Sequence, residues 1–102
     1  MADQVVIGVD VGTGSVRAGV FTLDGVMLGT ASSPILEFHP KADFYEQSSE
    51  NIWDRAGDVV RGALAEAGVT ADAVVGISFD ATCSLVVLDT AGKPLTVSET
   101  GE

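Results

Sequence analysis

In IGVDVGTGSVRAGVF, residues 7–21, an acid ends an apolar run: Asp10 is followed by a turn of Gly12, Thr13, Gly14 and Ser15, and Arg17 stands on the alternating segment beyond it. A glycine-rich turn lets backbone N–H groups converge on an anion because no side chain blocks the approach, and the Thr13 and Ser15 hydroxyls add donors. Such a turn can cradle a phosphate. A bare carboxylate beside phosphate is repulsive unless a divalent cation stands between them. Mg²⁺, which keeps several waters and takes one or two carboxylates, suits Asp10. Arg17 would then offset the charge of a polyphosphate. The same residues also read as an ordinary hairpin in which Asp10 accepts the turn amides, and residue chemistry alone leaves both readings open. No Gly-Lys-Ser or Gly-Lys-Thr follows, which excludes a Walker A loop, and a succeeding strand in place of a helix excludes a dinucleotide fingerprint.

The elements that would position these residues are mostly legible. Residues 4–10 form a β-branched run of strand length, and 15–22 alternate, so the turn between them joins an antiparallel hairpin. Asp24-Gly25 lies between alternating segments, a strong hairpin signal that makes 26–32 a third strand. Pro34, His39, Pro40 and Asp43 break any period, and 33–47 reads as a loop of some mobility. A helix follows, capped by Ser48 or Ser49, with Glu50 in its first turn and Gly68 placed to end it. Its apolar stripe is Ile52, Trp53, Ala56, Val59, Val60, Ala63, Leu64 and Ala67, with Trp53 as a core anchor. Residues 74–80 and 84–89 are two further apolar strands, and 90–94 close a second turn. The order strand, strand, strand, helix, strand, strand gives an α/β fold with a mixed sheet and a crossover helix on one face.

Asp80 ends the strand of 74–80, the end at which ligands collect in α/β sheets, and Thr82 follows in the same loop. Both can hydrogen-bond a ligand hydroxyl, and a turn acid capping local amides is the alternative. Cys83 has nothing basic beside it and reads as a small packed residue. His39 reads as a surface loop residue, and Glu46 and Gln47 as fastening the loop to the helix start.

With 102 residues the chain has room for one domain, and its 46% hydrophobic content implies a real core. Five Lys and Arg against fifteen Asp and Glu give a net charge of −10, spread along the chain as a solvated acidic surface. Nucleic acid is therefore not an expected partner, because phosphate neutralisation needs clustered cations. One cysteine can form no internal disulfide, and a reducing, cytoplasmic compartment is expected. The N-terminus does not read as a signal peptide, and no apolar stretch approaches the roughly 20 residues of a membrane span, so no membrane association is expected.

The arrangement resembles the N-terminal phosphate-binding hairpin of the actin and hexokinase superfamily, whose fold is ribonuclease H-like. More closely, Asp10, Gly12, Thr13, Gly14, Ser15 and Arg17 resemble the opening of the FGGY carbohydrate kinases. Phe44-Tyr45-Glu46-Gln47, a short gap and Ile52-Trp53 resemble that family's aromatic-x-Glu-Gln segment, with Ser48 where a proline is common. Gly76 to Ser84, GISFDATCS, resembles the strand and substrate loop of its D-ribulokinase-like members; the Arg-Glu of glycerol kinases and the Gln-Met-His of xylulokinases are not found there. The resemblance implies ATP and Mg²⁺ as cofactors, with Asp10 on the metal side, the Gly12 to Ser15 turn and Arg17 on the phosphates, and Asp80 and Thr82 on the sugar. It implies that residues 1–102 are the N-terminal portion of a first actin-like domain, and that the catalytic base lies beyond Glu102. The expected partners are a small-molecule sugar, the remainder of the kinase chain and, for the full protein, a second copy in a homodimer. The contrasting reading is a free-standing ribonuclease H-like module that binds without turnover. A single helix for about five strands leaves one sheet face uncovered, which layer packing disfavours in a self-standing module.

Overall fold

A computed structural model describes residues 3–39, 41–43, 45–82 and 85–95. β1 (Val5–Val11) and β2 (Ser15–Thr22) pair antiparallel, as do β2 and β3 (Met27–Pro34). β6 (Val74–Ala81) lies parallel to β1 on its other side, so the sheet is mixed with the order β3-β2-β1-β6. The β2–β3 connection is the expected Asp-Gly hairpin: Gly25 has φ 95°, a conformation that favours glycine, and Thr22 donates its hydroxyl to the Asp24 carboxylate at 2.6 Å. That bond holds the Asp24 carboxyl below its ordinary pKa.

α1 (Ser49–Ala67) is bounded by the residues that the sequence nominated. The Ser48 hydroxyl accepts from the Asn51 amide at 3.1 Å, satisfying one of the orphan N–H groups of the first turn. At the other end Gly68 is left-handed at φ 71°, and the amides of Gly68 and Val69 return to the carbonyls of Ala65 and Leu64, both at 3.2 Å, which is the Schellman arrangement. Between the caps Ala56, Val59 and Ala63 are buried against Val5, Ile7, Val9, Val16, Ala18 and Val20 of the sheet. Small residues let this contact close. A Cβ on Gly29 of β3 would lie 2.5 Å from the Ala67 amide nitrogen and 2.6 Å from the Ala63 carbonyl oxygen.

Three expectations need correction. Trp53 is not a core anchor: it is 74% exposed, because α1 lies over β3 and β2, only grazes β1 and leaves the Trp53 flank facing outward beside β6. Among the described residues of 84–89 there is no fifth strand of the main sheet. A single bridge joins Leu88 to Pro94 around the expected turn, where Asp89 accepts from the amides of Ala91 and Lys93. Among the described residues the run pairs with the segment just past its own turn, where the Leu95 amide donates to the Val87 carbonyl at 2.7 Å, and not with the main sheet; a strand joins a sheet only through its partner. The segment read as a mobile loop contains β4 (Glu37–Phe38) and β5 (Glu46–Gln47), which pair with each other, and is fastened by Leu36, whose amide donates to the Asn51 side chain at 2.8 Å. Two-residue strands are too short to leave a periodic signature.

Candidate functional site

The sheet register gathers the charged residues. Asp10 is the Cα partner of Arg17 on β2 and of Asp80 on β6, so the three sit side by side on adjacent strands near one end of the sheet. All three are on the face away from α1, since side chains alternate along β1 and Val9 and Val11 point into the core. Arg17 donates from Nη2 to Asp10 Oδ2 at 2.7 Å, with both side chains substantially exposed. The Thr82 amide donates to the Val11 carbonyl at 3.2 Å, which holds the start of the loop after β6 against the end of β1.

The Gly12 to Ser15 turn lies at this same end. It closes through the Gly12 amide, which donates to the Ser15 carbonyl at 2.8 Å. The amide nitrogen of Gln47 donates to the Thr13 carbonyl at 2.7 Å and to the Gly12 carbonyl at 3.4 Å, while the Ile35 amide donates to the Gly14 carbonyl at 3.1 Å. Gly12 and Gly14 do not have the positive φ of Gly25, Gly68 and Gly92, so what they supply is space. A Cβ on Gly12 would press to 3.3 Å from the Ser15 carbonyl oxygen, and one on Gly14 would meet the Glu37 carboxylate at 3.7 Å.

Thus the structure brings Asp10, Arg17, Asp80, the turn and the start of the Thr82 loop to one end of one face. Cys83, Ser84 and Phe44 lie outside the described residues. His39 is exposed, as expected, with its ring edge-on to Tyr45. Sequence reasoning missed two neighbours of the turn. The sequence reads Gln47 only as fastening the loop to the helix start and carries no signal for the nearness of Glu37, because the contacts span some twenty to thirty-five residues and depend on the β4–β5 pairing.

The donor set is compatible with a magnesium nucleotide. Carboxylate oxygens of Asp10 and Asp80 are hard ligands of the kind Mg²⁺ takes one or two of. Among the described residues no group of three or more His, Cys, Asp or Glu could hold a metal ion, so any metal here would rely on water and phosphate for most of its ligands. Among the described residues no helix is long and apolar enough to cross a membrane. A cavity of about 580 Å³ opens on the other face between α1 and β6, where Trp53, Val60, Ile77 and Phe79 lie with a charged rim in which Asp58 pairs with Arg55 at 3.1 Å and with Arg61 at 2.8 Å.

The chain is similar to known proteins over nearly all of its length. The sequence model of the FGGY family of carbohydrate kinases, N-terminal domain, matches residues 5–99. An FGGY carbohydrate kinase domain-containing protein of Homo sapiens is 43% identical over 98% of this chain and 18% of its own. A D-ribulokinase of Saccharomyces cerevisiae is 49% identical over 80% of this chain and 12% of its own. The crystal structure of a xylulose kinase from Rhodospirillum rubrum superimposes with a TM-score of 0.81 at 27% identity, over 91% of this chain and 19% of that one. The chain therefore spans less than a fifth of the length of these relatives.

Proposed function

The chain belongs to the FGGY family of carbohydrate kinases, and from that membership we propose that the full-length protein carrying it phosphorylates a pentulose, D-ribulose foremost, at the expense of ATP. The observation that carries the proposal is the register of Asp10 with both Arg17 and Asp80, which sets the phosphate-type turn beside the loop expected to take the sugar. A kinase needs that adjacency, since in-line transfer requires acceptor hydroxyl and phosphoryl group to be held within about 3–3.5 Å. The 49% identity to a D-ribulokinase supports D-ribulose, and the likeness to a xylulose kinase supports the wider ketopentose class.

In this reading the Thr13 and Ser15 hydroxyls and the turn amides grip the terminal phosphates. Arg17 supplies a charge-assisted hydrogen bond to them. Asp10 orients the waters of Mg²⁺, and Asp80 and Thr82 hydrogen-bond hydroxyls of the sugar. Mg-ATP, when bound, supplies the phosphoryl group and neutralises part of its charge. The base that takes the hydroxyl proton comes from outside residues 1–102. The proposal includes a cytoplasmic location, for which the single cysteine speaks, and a sugar and the rest of the chain as partners.

The test is ATP-dependent phosphorylation by the full-length protein of D-ribulose, L-ribulose, D-xylulose, ribitol and glycerol in parallel. Turnover led by D-ribulose is expected. Turnover led by glycerol or D-xylulose would overturn the substrate assignment, and no turnover of any would overturn the kinase.

A further inference from the structure

We infer that Gln47 is a positioning residue for the nucleotide, setting the direction in which the turn's amides face. This rests on the kinase reading above and adds to it a residue that touches neither phosphate nor sugar.

The inference follows from the planarity of the peptide bond. In a trans peptide the C=O of one residue and the N–H of the next point in opposite directions, so a donor that fixes the carbonyl aims the amide. Gln47 Nε2 holds the carbonyls of Gly12 and Thr13, and the Ile35 amide holds that of Gly14. The peptide units so fixed carry the N–H groups of Thr13, Gly14 and Ser15. These three amides are turned away from Gln47 and Ile35, as a set. The Gly12 amide is already committed to Ser15 within the turn, at 2.8 Å, so the set that can meet an anion begins at Thr13.

Two features make Gln47 the controlling member of this arrangement. It serves two of the three carbonyls through one side-chain nitrogen, whereas Ile35 serves one through a backbone amide that no side-chain substitution removes. Both its acceptors are carbonyl oxygens, so only the nitrogen end of the amide can face them. A carboxylate of the same shape would put lone pairs against lone pairs and a negative charge behind a phosphate site.

The experiment compares full-length wild type with Gln47→Met, which keeps length and loses the donors, and Gln47→Glu, which keeps shape and reverses the polarity. Three quantities are read for each: the affinity for a non-hydrolysable ATP analogue with Mg²⁺, the affinity for D-ribulose in the absence of nucleotide, and the thermal midpoint. Nucleotide affinity should fall about tenfold in Gln47→Met, the equivalent of one or two lost hydrogen bonds, and further in Gln47→Glu. Sugar affinity should stay within about twofold of wild type in both, with the same split in the KM values for ATP and sugar. Unchanged nucleotide affinity in the folded Gln47→Met variant would overturn the inference while leaving the kinase standing. So would a parallel loss of both affinities with the thermal midpoint, which would mark Gln47 as merely structural. If wild type itself binds no nucleotide, the kinase reading fails and takes the inference with it.

Discussion

At the scale of single residues the Asp10–Arg17 pair decides how the site behaves when empty. An exposed ion pair of this kind is worth about 0–1 kcal/mol, so leaving Asp10 for a more highly charged phosphate would cost Arg17 little. Replacing Asp10 by Asn in the full-length protein should therefore lower kcat by about 10²–10³-fold, a loss of the size seen when one preorganised electrostatic group is removed from an active site. The thermal midpoint should scarcely move, since so little stability rests on the pair; unchanged turnover would remove Asp10 from the metal side. Arg17→Met should weaken binding of the nucleotide analogue about tenfold and flatten its dependence on salt, as equilibrium titrations at low and high ionic strength would show. The site was legible here as far as the hairpin could carry it. Asp10 opposite Arg17 follows from a two-strand alternation, whereas Asp80 beside Asp10 requires knowing that β6 lies next to β1 and parallel to it.

Among the elements, α1 and its seat on β3 are the least tolerant of change. A methyl on Gly29 would enter the backbone of α1 at 2.5 Å, and backbone cannot swing aside as a side chain can. Gly29→Ala should destabilise the domain by at least about 1–3 kcal/mol, the range for overpacked sites, while Gly62→Ala, whose Cβ would meet only the Ala31 methyl at 3.1 Å, should cost visibly less. Ser48→Ala removes the hydroxyl that accepts from Asn51 and should cost about 1 kcal/mol, read as a lowered urea midpoint. These boundaries were legible because caps and Asp-Gly turns are local chemistry, written within a few residues of the feature they make. Trp53 and the 84–89 run were not. Both are apolar and correctly spaced, yet burial depends on what lies across the sheet, and among the described residues no helix covers β6.

At the scale of the whole molecule, the described fold spreads its core thinly. Its radius of gyration, 16.0 Å, exceeds the about 13 Å of a compact domain near 100 residues, and Trp53, Val75, Ile77 and Phe79 are each more than half exposed. Residues 1–102 expressed alone should accordingly bind a hydrophobic dye and aggregate, as sedimentation would reveal, whereas the full-length protein should bind no dye and form nothing larger than a discrete dimer. A monodisperse, dye-silent, cooperatively melting 102-residue chain would instead favour a free-standing binding module. One adjacency ties the outer frame to the chemistry. Gln47 grips the turn and Ser48 caps α1, and the α-carbons of consecutive residues are only about 3.8 Å apart. That joint has almost no slack. On the proposed reading, a tilt of the helix would reach the turn as torque, and a phosphate tightening the turn would pull back on a rod of nineteen residues whose far end is wedged against Gly29.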